Sequence, residues 1–65
     1  MSFPKLRGAI REKFGTQEAF ACAMGMHPTT LSSKLQSRVD WTRKEMERVG
    51  SLLGIPKEEL MSYFF

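Results

Sequence analysis

The part of the sequence best suited to chemistry with a ligand is a run of short polar side chains at helical spacing. This polar face consists of Thr29, Thr30, Ser33 and Gln36. Because a helix turns by about 100° per residue, these side chains lie away from Leu31 and Leu35, which we expect to pack inward. Serine and threonine are indifferent helix formers, so helix propensity does not explain their concentration here. The chemistry offered is hydrogen bonding by hydroxyl and carboxamide groups.

The sequence contains no arrangement typical of an enzyme or of a metal site. It has one histidine and one cysteine, and neither has a nucleophile or a paired acid placed beside it. It also lacks paired carboxylates, a phosphate-binding loop and metal-ligand spacing. We therefore expect no catalysis, no cofactor, no metal and no small-molecule substrate. His27 is interpreted as an exposed helix cap, and Cys22 as a small side chain on the second helix and not a reactive thiol.

The polar face has dimensions that fit double-stranded DNA. The major groove of B-DNA is about 12 Å wide and admits one α-helix when the facing side chains are short. A glutamine such as Gln36 can pair with adenine N6 and N7, and threonine methyl groups can contact thymine. These dimensions permit base reading, but for a serine- and threonine-rich helix taken alone the favoured interpretation is that its residues are merely solvated on the surface.

The charges of the chain are unevenly distributed around a net charge of +3. Up to Lys44 there are eight basic and three acidic side chains, and beyond it there are two basic and four acidic ones. Such asymmetry indicates that one face of the protein binds a polyanion. The alternative is a chance distribution of charges on a solvated surface. The basic residues predicted to contact phosphate, and so to set register and salt dependence, are Lys34, Arg38, Arg43 and Lys44.

Proline, glycine and capping residues divide the chain into five segments of helical length, and no segment shows the alternation of a strand. The expected beginnings are marked by Pro4, Thr16, Pro28, Thr42 and Pro56, and three expected ends by Gly15, Gly25 and Gly54. The clearest local signal is the complete capping box of Thr42 and Glu45. The sequence therefore predicts a single all-α domain of five helices over residues 1–65.

The segment from Thr16 to Gln36 resembles the helix-turn-helix of the lambda-repressor and Cro-like DNA-binding proteins, the XRE family. The matching letters are TQEAFA, MGM and TTLSSKL. The motif needs apolar residues between its helices, a small residue for their close approach and a glycine in the turn. These positions are held by Phe20, Ala21, Met24, Gly25, Met26 and Leu31. The later letters LGIPKEELMSYF resemble the last helix of short phage-associated members, so the resemblance covers nearly the whole chain.

The resemblance has two departures from the family pattern. An apolar residue is usual where Lys34 stands, and Leu35 is expected to take over the core role, with the third helix rotated or shifted. His27 and Pro28 replace the usual cap and polar reader, so base reading is expected to begin at Thr29.

The resemblance implies a compact lambda-repressor-like fold with the motif at residues 16–37 on helices 2 and 3. It implies that Gln17 clamps a phosphate, helped by its backbone N–H and the positive helix end, and that His27 lies near the DNA backbone. It implies further that the polar face reads bases. The implied function is operator binding by a Cro-like phage or prophage transcriptional repressor. An antitoxin-type autoregulator and a protein–protein interaction module on the same scaffold are the alternatives.

One small module buries little area on DNA, so the resemblance also implies a homodimer with two recognition helices about 34 Å apart. The C-terminal Tyr63, Phe64 and Phe65 could form the dimer contact or close the core over Trp41 and Phe3. The chain has no signal-peptide core and no apolar run of about 18 residues, and its single cysteine fits a reducing compartment. We therefore expect a cytoplasmic protein without membrane contact.

Overall fold

The helices follow the divisions that proline, glycine and capping residues predict. The computed structural model describes residues 2–65, and within them it contains five α-helices and no β-strand. They are α1 (Pro4–Phe14), α2 (Gln17–Met24), α3 (Pro28–Leu35), α4 (Arg43–Leu53) and α5 (Lys57–Phe64). The predicted all-α class and the number of helices are confirmed for this range.

The capping residues explain where α2, α4 and α5 begin. Thr16 Oγ1 accepts a hydrogen bond from the Ala19 N–H at 3.1 Å, which caps α2. Glu45 Oε1 accepts from the Thr42 N–H at 2.9 Å, and Thr42 Oγ1 accepts from the Glu45 N–H at 3.1 Å. The capping box of α4 is therefore complete. Helix α5 begins one residue later than predicted because Pro56 is its N-cap.

The turn between α2 and α3 depends on Gly25. Its φ of 73° and ψ of 28° are left-handed, a conformation that a Cβ disfavours. The Gly25 N–H donates to the Cys22 carbonyl and the Met26 N–H to the Ala21 carbonyl, both at 3.0 Å. These bonds satisfy the last carbonyls of α2. The chain can therefore reverse and begin α3 at Pro28.

The end of α3 has the same geometry without a glycine. The Arg38 N–H donates to the Ser33 carbonyl at 2.9 Å and the Ser37 N–H to the Lys34 carbonyl at 3.1 Å. This pair of bonds is a Schellman motif, whose left-handed residue is usually glycine. Here it is Ser37, with φ 63°. The serine side chain therefore strains the backbone at this turn.

One hydrophobic core joins the helices, with α2 packed against α1, α3 and α4. Phe20 and Ala21 of α2 are fully buried, and the absence of a large side chain at Ala21 allows close helix packing. The remaining buried apolar residues are Leu6, Ile10, Met24, Leu31, Leu35, Val49, Leu53 and Phe64. A membrane-crossing helix would need a longer apolar segment than any that residues 2–65 provide.

The C-terminal aromatic residues have different environments. The Phe64 ring is buried, with its centroid 5.3 Å from that of Trp41 and 6.2 Å from that of Phe3. Phe64 therefore closes the core over Trp41 and Phe3, one of the two arrangements left open by the sequence. Tyr63 is half-buried under the Lys5 ammonium, whereas 85% of Phe65 is exposed.

Candidate nucleic-acid interface

Helix α3 has one buried side and one accessible side. Leu31 and Leu35 have no exposed surface. On the polar face, Thr29, Thr30 and Gln36 are exposed, and Ser33 is half-buried. The helical spacing thus turns the polar face outward, as predicted, and leaves its hydroxyl and carboxamide groups accessible to a ligand.

His27 caps the beginning of α3. Its Nδ1 accepts a hydrogen bond from the Thr29 N–H at 3.1 Å, which requires the neutral tautomer with the proton on Nε2. The exposed imidazole therefore retains an Nε2–H donor for an external acceptor. Pro28 at the first helical position has no N–H to satisfy.

Lys34 is not an exposed cation, and the prediction that it contacts phosphate is corrected. Its side chain is only 6% exposed, and its Nζ lies 2.9 Å from Glu45 Oε1. The ammonium also donates to the Asp40 carbonyl at 2.9 Å and lies 5.9 Å from the Trp41 ring centroid. A buried ammonium with these partners cannot reach a ligand phosphate. We therefore remove Lys34 from the predicted phosphate contacts.

The burial of Lys34 also modifies the expectation for the packing of α3. Leu35 is in the core, as predicted, but Lys34 beside it points inward as well. Leu35 therefore does not replace position 34 in the interior, because both side chains point inward. The sequence identified Glu45 only as a capping residue and gave no local signal that it also neutralises Lys34.

Glu45 connects the end of α3 to the beginning of α4. Burial raises the pKa of Glu45, but hydrogen bonds from Thr42 and Lys34 and the charge of Lys34 outweigh burial and hold it below its ordinary value. The same oxygen, Oε1, accepts from the Thr42 N–H and from Lys34 Nζ. This shared acceptor fixes the first turn of α4 next to the last turn of α3.

Three exposed basic residues lie just beyond α3. We call Arg38, Arg43 and Lys44 the basic cluster. Arg43 and Lys44 are the first two residues of α4, where the helix dipole disfavours positive charge. The Arg43 guanidinium is 3.5 Å from the Glu47 carboxylate, but the two side chains are 91% and 60% exposed, so this ion pair is weak. The basic cluster thus remains available to an anion.

At the other end of α3, its first turns border the beginning of α2. The α2–α3 groove is a shallow depression lined by Gln17, Glu18, Pro28, Thr29 and Ser32. Gln17 is half-buried there. Gln17 and His27 therefore lie near the start of α3 and the polar face lies along it, whereas the residues of the basic cluster follow α3 in the chain.

Ser32 and Arg7 contribute to this surface, although neither was predicted from the sequence. The Gln36 Nε2 donates to Ser32 Oγ at 3.0 Å, a contact between residues four apart that helical spacing could have indicated. Arg7 donates to the Leu35 carbonyl at 2.9 Å and to the Ser2 carbonyl at 2.7 Å. Arg7 thereby holds the end of α3, and no local pattern in α1 predicts this long-range contact.

The chemistry of this surface is hydrogen bonding combined with positive charge. No group of three or more histidine, cysteine, aspartate or glutamate residues that could hold a metal ion occurs in residues 2–65. Cys22 is a free, exposed thiol on α2. The arrangement can bind a ligand that combines polar edges with negative charge.

Comparison with known proteins places the chain in a family but does not assign it an activity. A search of curated proteins finds no match. A family model with the description "Protein of unknown function (DUF739)" matches residues 1–65, the full length of the sequence, and the chain belongs to that family.

Proposed function

We propose that the protein binds double-stranded DNA sequence-specifically, with α2 and α3 as a helix-turn-helix and α3 in the major groove. The observation that carries this proposal is the two-sided character of α3. Leu31 and Leu35 anchor the helix, while after Pro28 its accessible side has only short polar residues of a size that the groove admits. The four residues of the polar face read base edges. They are Thr29, Thr30, Ser33 and Gln36.

The phosphate contacts come from both ends of α3. Gln17, with the first amides of α2, binds the backbone on one side, and the His27 Nε2–H donates to a phosphate close by. The basic cluster binds the backbone on the other side. Positive charge at the start of α4 is unfavourable for the helix itself, so its presence supports a role in binding an anion.

The biological role that best fits this surface is that of a Cro-like transcriptional repressor of phage or prophage type. It acts by occupying an operator and excluding polymerase. Because one module buries little area, two copies bind successive major grooves as a homodimer. An antitoxin-type autoregulator would use the same surface, so the regulated gene distinguishes these two roles.

A mobility-shift titration tests DNA binding. Fragments selected from a random duplex pool are titrated over a range of salt concentrations, alongside random duplex. The expected result is a preferred site and binding that weakens steeply with salt, with a slope of about −0.9 per phosphate neutralised. Absence of binding even at low salt would contradict the proposal.

A matched pair of variants tests which surface is used. Thr29→Ala combined with Ser33→Ala should weaken binding to the preferred site by about tenfold or more, because hydroxyl contacts to bases are lost. Ser51→Ala removes an exposed hydroxyl from α4 and should leave affinity unchanged. Equal affinities for both variants would rule out base reading by α3.

The rival function is a protein–protein interaction module on this scaffold. The observation that favours it is an apolar surface near the C-terminus, where Val39 is 47% and Phe65 is 85% exposed. Both border a depression that Trp41 and Phe64 also line. If the chain binds no DNA, this apolar surface becomes the place to search for a protein partner.

A further inference from the structure

Gly8 has no structural reason to be glycine within residues 2–65. It lies inside α1, and a Cβ built on it would meet no atom within 4 Å. The other four glycines are each explained: Gly15, Gly25 and Gly54 have positive φ, and a Cβ on Gly50 would lie 3.1 Å from Leu60 Cδ1. Glycine inside a helix is destabilising relative to alanine. Without a side chain, Gly8 leaves the α1 backbone open to a close approach from outside the chain.

Gly8 lines an open groove between α1 and the beginning of α2. This α1–α2 groove has a volume of about 660 Å³ and is bordered by Arg7, Gly8, Arg11, Thr16, Gln17 and Glu18, among others. Arg7 is already engaged by the carbonyls of Ser2 and Leu35. The guanidinium of the exposed Arg11 has no hydrogen bond or ion pair with any other residue that the structure describes. A ligand in the groove would therefore meet an uncommitted cation.

The α1–α2 groove continues into the α2–α3 groove. Gln17 and Glu18 line both of them, and Thr29 of the polar face lines the second. A backbone strand that passes Gln17 while α3 occupies the major groove would therefore reach α1 next. The continuity of the two grooves favours the same ligand in both.

We propose that Gly8 and Arg11 form an additional site for the phosphodiester backbone of duplex DNA. The Arg11 guanidinium binds phosphate oxygens, for which its planar fork of N–H donors is suited. Gly8 allows the sugar-phosphate chain to approach the α1 backbone more closely than a side chain would permit. This inference rests on the proposed DNA binding and extends its footprint from α2 and α3 to α1.

Glu18 opposes this site and provides a second way to test it. Its exposed carboxylate borders both grooves, so it repels a phosphate that approaches Gln17 or Arg11. The carboxylate also lies in the first turn of α2, where negative charge stabilises the helix. We expect Glu18→Gln to strengthen DNA binding severalfold while lowering the melting temperature slightly.

The decisive variant is Gly8→Ala, because stability and binding should change in opposite directions. Alanine favours the helix and meets no steric obstacle, so the melting temperature should rise by about 4 °C or more. Affinity for the selected duplex should fall about tenfold because the added methyl group holds the backbone away. Calorimetry and the mobility-shift titration give the two readouts.

Three further variants separate the site from general effects. Ser51→Ala places a better helix former at an exposed position of α4. It should therefore raise the melting temperature without changing the affinity for DNA. Arg11→Gln should reduce the slope of log K against log salt concentration by about one, as expected for one lost phosphate contact. Lys57→Gln removes an exposed charge from the start of α5 and should leave the salt dependence unchanged.

Each outcome either supports or overturns the inference. If the wild-type protein binds the selected duplex and Gly8→Ala binds it equally well, the inference of an α1 site is wrong and the proposed function stands. An unchanged salt dependence for Arg11→Gln has the same meaning. If the unchanged protein binds no duplex at all, both the α1 site and the proposed function are overturned.

Discussion

Lys34 combines a long charged side chain with a position beside the core. Its side chain is buried on the same helix as Leu31 and Leu35, while its ammonium is compensated by the Glu45 carboxylate and the Asp40 carbonyl. Such a pair stabilises a fold less than its short distances suggest, because both charges lose water. Removal of one partner alone is costly, however, because the other then stays buried without compensation.

Glu45→Gln tests this asymmetry. Glutamine can still complete the capping box, but Lys34 loses its counter-charge, so we expect the free energy of unfolding to fall by about 2–4 kcal/mol. Urea denaturation at neutral pH measures the change. The control is Glu47→Gln, which removes the exposed pair with Arg43 and should cost less than about 0.5 kcal/mol. Equal losses for the two variants would contradict the account of Lys34.

Glu45 should also make stability depend on acidity. Burial raises its pKa, but the bonds from Thr42 and Lys34 prevail and the folded pKa is lowered. The folded state therefore binds this proton less readily than the unfolded state. The stabilisation is fully present above the ordinary glutamate pKa and is lost as the pH falls through the lowered one. Urea denaturation at a series of acidic pH values should show a decline that is smaller in Glu45→Gln.

At the scale of the helices, most boundaries were predictable because their signals are local. Thr42 and Glu45 form the predicted capping box, and Gly25 ends α2 through its own left-handed backbone. The end of α3 was not predictable, because Ser37 takes the left-handed conformation without being glycine. A long-range contact lies at that end, the bond from Arg7 to the Leu35 carbonyl, and no local sequence signal marks it.

Ser37→Gly should stabilise the protein. Glycine relieves left-handed strain that costs a serine about 1 kcal/mol or more. The relief exceeds the cost of the greater freedom that glycine gives the unfolded chain. The free energy of unfolding should therefore rise by about 0.5 kcal/mol. The melting temperature should rise by a few degrees. Gly25→Ala is the matched control, because it introduces the same strain with no atom within 4 Å of the new Cβ. It should therefore lower the melting temperature, and a change of the same sign in both variants would refute the strain argument.

At the scale of the whole molecule, the candidate site was predictable in outline and not in detail. Periodicity placed Thr29, Thr30 and Gln36 outward because it depends only on the helix itself. The burial of Lys34 and the groove that contains Gly8 depend on which helices pack together. No local sequence pattern predicts that packing. The predicted DNA binding, homodimer and repressor role remain predictions.

The two C-terminal phenylalanines should differ in their effect on the whole molecule. Phe64→Ala removes a ring from the core and should cost about 3–5 kcal/mol, enough to unfold much of so small a domain. Phe65→Ala should change stability by less than about 0.5 kcal/mol, because the ring is 85% exposed. Thermal denaturation compares the two variants.

The exposed ring offers a test of association. If two copies meet through this end, Phe65→Ala should reduce cooperative binding to a duplex with two half-sites and leave binding to one half-site unchanged. Sedimentation of the protein–DNA complex gives the stoichiometry. Unchanged cooperativity would move the homodimer contact away from Phe65.

The shared Glu45 oxygen has a consequence for local motion. Because Oε1 serves both Thr42 and Lys34, fraying of α4 from its first turn also releases the end of α3. The connection between the helices, which carries Arg38, then loosens in the same event. Amide hydrogen exchange at the two helix ends should therefore proceed with one common opening free energy.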